Sequence, residues 1–251
     1  MNRFRLNAFL IILSSLCTTA GFANCAIKTE LLQSKAKNTN PTPYLLPKNH
    51  RLQRIVDKLF SNPKVTESPK NFAAAGFKTL YIRPKGALRV ARHPSVKGYL
   101  FKLYLASESR ASKSVWQNSL IQRCVGASAV RKLIKENNLR QITVPEKWLY
   151  QLPTRSKGVE KSYVLIAEDM NLVSHNQSKK MWQKASPSLL KELHILLKSG
   201  QASIALVQNI PFTKDGKCSC IDTEYAPRRF HLTRAKKFFS PKMQKYWDSL
   251  H

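Results

Sequence analysis

Ser162-Tyr163-Val164-Leu165-Ile166-Ala167-Glu168-Asp169-Met170 is the stretch on which the fold turns. From Tyr163 to Ala167 every side chain is apolar or aromatic, over a length that suits a strand buried on both faces. It stops abruptly at the acidic pair Glu168-Asp169. Upstream, Ile142-Thr143-Val144 and Trp148-Leu149-Tyr150 read as short strands around Pro145. Before them, residues 114–137 predict a helix whose buried side is marked by Ile121, Val125, Val130, Leu133 and Ile134. Gly126 inside it signals close packing or a break. Further back, Tyr99, Phe101, Leu103 and Leu105 share one strand face, while Leu100, Lys102 and Tyr104 share the other. Lys78–Arg83 and Leu88–Arg92 add two more candidate strands, and Leu52, Ile55, Val56, Leu59 and Phe60 follow helical spacing.

Downstream of Met170 a polar, Lys-rich stretch containing Met181 and Trp182 leads to Ser186-Pro187, a helix start with its cap residue and first-turn proline. Leu189, Leu193, Leu196 and Leu197 bury that helix, and Gly200 ends it. The expected class is α+β, with a small mixed or antiparallel sheet ahead of a helical C-terminal part.

Residues 1–23 read as a signal peptide. Arg3 and Arg5 precede an apolar run from Ala8 to Leu16, and Gly21 and Ala23 suit cleavage after Ala23. The run falls short of the roughly 20 apolar residues that span a bilayer, so no transmembrane span is expected in the mature chain. A periplasmic or secreted protein follows, with residues 24–50 as a flexible arm and 51–251 as a single domain.

The chain carries 43 Lys and Arg against 14 Asp and Glu, a net charge of +29. Such an excess favours acidic partners: an acidic protein, an anionic surface or a polymer. Zinc-finger and RNA-recognition signatures are missing. The clusters Lys179-Lys180, Arg228-Arg229 and Arg234 to Lys237 are candidate contacts or simply solvated faces. Cys25, Cys124, Cys218 and Cys220 permit two disulfides in three pairings, or stay buried thiols.

Asp215-Gly216 predicts a two-residue hairpin turn. Counting outward from that turn sets Asn209 directly opposite Asp222. An amide oxygen and a carboxylate about 5 Å apart can share a hard cation such as Mg²⁺. They equally suit a polar pair closing a hairpin base. Glu224 supplies a second carboxylate if the strand continues.

The order of these elements resembles a protein-kinase-like fold, over residues 75–225. By that resemblance the protein is two-lobed, with a reduced C-terminal part because 29 residues follow Asp222. The resemblance implies that Lys102 contacts ATP phosphates and that Ala167-Glu168-Asp169-Met170 is the hinge taking adenine on its backbone. It implies that Asn209 binds metal and that Asp222, in Ile221-Asp222-Thr223-Glu224, is the principal metal ligand. ATP and Mg²⁺ are therefore the expected ligands.

The sequence departs from the family pattern at several points. Ile204 stands where the catalytic Asp would fall, and Ser199-Gly200-Gln201 stands near the place of the His-Arg-Asp run. Ahead of Lys102 there is only Gly76 and Gly86, not a glycine-rich loop. The helix after Lys102 offers Gln117 and Gln122, not an acid, to pair with it. These departures imply a pseudokinase that binds a partner or nucleotide without efficient phosphotransfer. The alternatives are charge-driven binding to an anionic surface, and an atypical phosphotransferase in which Asp169, Asp215 or Glu224 replaces the base. A hydrolase finds no Gly-x-Ser-x-Gly elbow here. Export favours binding, because ATP is scarce outside the cytoplasm unless the protein is delivered into another cell.

Overall fold

The strand quoted first lies inside the sheet, paired on both sides. The computed structural model of the protein describes residues 40–83, 88–108, 113–153, 162–224 and 232–250. The signal peptide, residues 24–39 of the arm, Cys25 and the Arg228-Arg229 cluster lie outside the described residues. Helices α1 (Gln53–Leu59) and α2 (Pro69–Ala74) precede strands β1 (Lys78–Ile82), β2 (Arg89–Arg92) and β3 (Tyr99–Leu103). Helix α3 (Lys113–Glu136) leads to β4 (Ile142–Thr143), β5 (Lys147–Gln151) and β6 (Tyr163–Glu168). Then come α4 (His175–Gln183), α5 (Pro187–Lys198), α6 (Leu206–Asn209), β7 (Cys218–Ser219) and α7 (Pro241–Asp248).

The molecule is mixed α and β, built on a five-stranded antiparallel sheet in the order β1-β2-β3-β6-β5. Alternation along β6 decides what packs on each face. Val164 and Ile166 meet Phe101, Tyr150, Val56 of α1 and the Phe60 that follows it on one side. Leu165 and Ala167 meet Leu149 and the α3 residues Leu120 and Cys124 on the other. The α3 burial is centred on Leu120, Ile121, Cys124, Ala127 and Val130, while the expected Val125, Leu133 and Ile134 are half-buried. The first face is aromatic: Phe72 and Phe77 stack with centroids 4.3 Å apart.

A helical core follows the sheet, with Trp182, Leu190, Leu193, Leu196 and Trp247 buried together. Ser186 caps α5 by accepting from the Leu189 amide, as its sequence implies. The Lys-rich stretch read only as polar is α4. Ser174 caps it, and Ser178 and Trp182, four residues apart, bury one face. The Trp182 indole donates to the Ile210 carbonyl at 3.2 Å.

Two expectations are corrected. The arm is shorter than 24–50: Pro41 onward belongs to one compact unit, where Leu46 is buried and its amide donates to Leu149 on β5. Apolar Leu45-Leu46 sits inside a polar stretch, too short to register as periodic. The turn at Asp215-Gly216 is one residue longer than expected. Thr213 and Lys217 close it, with the Thr213 amide donating to Lys217 O at 2.8 Å and Gly216 at φ +86°. That is the three-residue loop with a left-handed glycine at its end. The extra residue shifts the register, so Phe212 faces Cys218 and the Ile221 amide bonds Asn209 O at 3.1 Å. Asn209 ends helix α6, and its carbonyl meets Ile221, not Asp222.

Candidate functional site

A cavity of about 570 Å³ opens where the sheet meets the segments before α4 and around α6. Leu88, Val90, Leu100 and Ala167 form its apolar wall, with Lys102 at the same wall. Glu168-Asp169-Met170 forms one edge. Leu172, Val173 and Val207 close another side, and Asn209, Ile221 and Asp222 stand at the far end with Arg123.

Strand alternation aims two lysines at α3. Lys102 shares its β3 face with Leu100, and Lys147 shares its β5 face with Leu149. Both are buried. Lys102 Nζ donates to the Ile221 carbonyl at 3.3 Å, and Lys147 Nζ to the same carbonyl at 3.2 Å and to Thr223 Oγ1 at 2.7 Å. Thr223 Oγ1 in turn donates to the Arg123 carbonyl at 2.6 Å. Gly126 makes this approach possible: a Cβ there would sit 1.8 Å from the Thr223 carbonyl oxygen.

Arg123 is the hub. It is 2% exposed, and its two terminal nitrogens serve different carboxylates. Nη1 donates to Asp222 Oδ1, and Nη2 to Glu224 Oε2 at 2.5 Å. Glu224 also accepts from Ser119 Oγ at 2.6 Å and from Arg83 at 3.4 Å. The Arg123 Nε is buried without a partner among the described residues.

Three buried basic groups thus lie beside two carboxylates, and the electrostatics follow. Burial, then the neighbouring Arg123, brings the Lys102 ammonium down to about 8, although Asp222 and Glu224 act to raise it. Lys147 is driven well below the ordinary lysine value by burial first, then by Lys102 and Arg123. Burial acts to raise the Asp222 carboxyl, but Arg123, Lys102, Lys147 and Arg83 together outweigh it and hold it below the usual range.

The structure brings Lys102, Glu168, Asp169, Met170, Asn209 and Asp222 to one cavity. Glu224 lies behind Asp222, bound to Arg123, Ser119 and Arg83. The Glu168 and Asp169 amides are used internally, donating to Glu146 O at 3.0 Å and Gly98 O at 2.9 Å. Asp169 also holds Arg92 at 2.5 Å. Ile204 is half-buried against the helical core and offers no base. Gln117, expected near Lys102, instead accepts from the Tyr163 amide at 2.6 Å.

Sequence reasoning missed Arg123 and Lys147. A signal existed for each: Arg123 falls three residues after buried Leu120 and four before buried Ala127, and Lys147 alternates with Leu149.

Mg²⁺ does not fit this donor set. Arg123 already bonds Asp222, the principal ligand expected for such an ion, and Glu224, the second carboxylate. Among the described residues, no three His, Cys, Asp or Glu side chains are grouped to hold a metal ion. The thiols Cys124, Cys218 and Cys220 are all buried and free. No described helix is long and apolar enough to cross a membrane.

No protein-family model and no curated protein matches the sequence. Among solved structures, a MAP kinase from Leishmania major aligns with a TM-score of 0.31 and 12% identity, over 70% of this chain and 50% of that one. The Rv3197 protein of Mycobacterium tuberculosis, solved in complex with erythromycin, aligns with a TM-score of 0.34 and 14% identity, over 88% of this chain and 69% of that one. The chain thus spans about half the length of the MAP kinase it matches.

Proposed function

We propose that the protein is an exported, kinase-like binding module that holds a nucleotide or a related phosphate-bearing ligand without efficient phosphotransfer. In this reading the sheet with α3 and the helical part after β6 are the two lobes. The observation that carries it is a buried lysine at the wall of an otherwise largely apolar cavity, with a hinge-like edge at Glu168-Asp169-Met170. Such a mixture suits a flat apolar group joined to an anion. Because the Glu168 and Asp169 amides are engaged, backbone recognition of a base falls to Met170. Phosphoryl transfer depends on positioning a nucleophile as well as the phosphates. Ile204 cannot do the first, which favours binding over turnover.

The test is a thermal-shift and calorimetric titration of the purified protein with ATP, ADP and adenosine, with Lys102→Met alongside. At 100-fold excess over Kd a bound ligand stabilises by about 2.7 kcal/mol. For a protein of this size that raises Tm by roughly 5–10 °C. The phosphate-dependent part should vanish in Lys102→Met. Absence of any stabilisation by all three compounds would overturn the proposal.

A second reading, attraction to an anionic polymer or surface, is favoured by the charge of +29 and by exposed Lys179 and Lys180 on α4. Binding to heparin or to anionic vesicles should then weaken in proportion as log salt rises. A salt-independent interaction would argue against it.

A further inference from the structure

We propose that Arg123 is the resident cation of the cavity. It stands between Asp222 and Glu224, in the place of a metal that would bridge those two carboxylates, so a phosphate-bearing ligand is taken directly on Lys102 and needs no Mg²⁺. The inference rests on the reading that the cavity binds such a ligand, and it deepens that reading by naming its ion requirement.

The geometry of the guanidinium carries the argument. Each terminal nitrogen holds a different carboxylate, so a single planar group ties Asp222 to Glu224 as a bridging metal would. The group has no way out. Arg123 is 2% exposed, and its own carbonyl is pinned by Thr223 Oγ1 at 2.6 Å. Gly126, one turn on, lets the Thr223 backbone press against the helix. A metal entering between the two carboxylates would have to displace a buried guanidinium or share the space with it. Displacement leaves an unpaired buried charge, which is strongly unfavourable. Sharing sets like charges a few ångströms apart in a low-dielectric interior. Lys102, on the neighbouring Ile221 carbonyl, adds a further cation, which deepens the repulsion.

The same arrangement welcomes an anion. An ammonium carries three donors and no acceptor. Lys102 uses one on the Ile221 carbonyl and lines the cavity, which leaves donor capacity for a phosphate oxygen. The carboxylates that would repel that oxygen are already neutralised: Asp222 by Arg123, and Glu224 by Arg123 and Arg83. Arg83 also lines the cavity, as a second cation for a longer phosphate chain. Lys102 and Arg83 are therefore the expected anion contacts, and Arg123, with both terminal nitrogens committed to carboxylates, is a positioning residue.

The deciding experiment uses the purified protein in two arms. In the first, ATP and inorganic triphosphate are titrated calorimetrically in EDTA and again in excess Mg²⁺. The expected ATP affinity in EDTA equals or exceeds that in Mg²⁺. Binding of triphosphate alone would also support the phosphate site, while the ATP arm adds a nucleoside. A tenfold or greater loss of ATP affinity in EDTA overturns the proposal. In the second arm Mn²⁺ is titrated without nucleotide and followed by its paramagnetic resonance signal. No saturable site is expected in the wild type. A saturable site that Asp222→Asn removes overturns the proposal. Arg123→Gln should open an Mn²⁺ site that Arg123→Gln combined with Asp222→Asn closes again; if Arg123→Gln does not fold, the wild-type measurements still decide. Failure of ATP and triphosphate to bind in either buffer overturns the ligand reading, and the Mn²⁺ arm separately decides whether Arg123 excludes a metal.

Discussion

Gly126→Ala tests how α3 is held against the site. The added methyl carbon would lie 1.8 Å from the Thr223 carbonyl oxygen, whereas ordinary contact begins near 3.4 Å. The obstacle is backbone, which a side-chain rotation cannot clear, so α3 and the 222–224 segment must part by more than an ångström. Alanine gains about 1 kcal/mol of helix propensity over glycine. Overpacking a core costs about 1–3 kcal/mol. Parting the two segments also strains the buried bonds from Thr223 Oγ1 to Arg123 O and from Lys147 Nζ to Thr223 Oγ1. Each group left unpaired costs about 1–3 kcal/mol. The net is a destabilisation of about 2–5 kcal/mol, and a Tm lowered by on the order of 10 °C for a chain of this size. Urea and thermal unfolding of wild type and variant measure it. A variant as stable as wild type, or more stable, would refute the reasoning, because the helix-propensity gain alone would then be visible. The reading of Gly126 as a site of close packing would fall with it.

Two further predictions concern titration. Lys102 is brought from an ordinary 10.5 to about 8 by burial first and by Arg123 second. Its folded value lies below its unfolded value, so between about pH 8 and 10.5 the unfolded chain holds the extra proton and this group's contribution to stability rises with pH. The contribution is lost as pH falls through 8. The unfolding free energy of wild type relative to Lys102→Met should therefore rise across that window, by about 3 kcal/mol at most; a flat difference in urea titrations would count against a buried Lys102. The thiols of Cys124 and Cys220 are pushed up to about 12 by burial, and that of Cys218 is raised further by burial and Cys220. Since the thiolate is the reactive form, iodoacetamide at pH 8 should leave all three unmodified in the native protein and label them in urea, as read by peptide mass mapping. Native labelling of Cys124 would contradict its packing between α3 and the sheet.

Much of the scaffold was legible because burial writes a local pattern. The apolar run at Tyr163–Ala167 marks an interior strand of the sheet, and its alternation with Lys102 and Leu149 on neighbouring strands records which faces are covered. Ser186-Pro187 announces α5 through the chemistry of its cap. The grouping of the candidate residues was legible too: Lys102, Glu168-Asp169-Met170, Asn209 and Asp222 border one cavity. The hairpin was misread by a single residue, because Asp-Gly suits both a two-residue turn and the end of a three-residue one. The choice was made where Thr213 donates through its amide to Lys217 O and through its hydroxyl to Asp215. One residue of register then set Ile221, not Asp222, against Asn209.

The sequence by itself determined the basic charge, the α+β order and the strand faces, since each depends on composition or on neighbours a few residues apart. Tertiary structure alone decided the character of the cavity. Arg123 meets Asp222 and Glu224 across separations of 99 and 101 residues. Nothing in the helix around Arg123 records which carboxylates will lie beneath it. Coulomb interactions act between groups that folding brings together, so their partners appear only once α3 and the 222–224 segment have packed through Gly126.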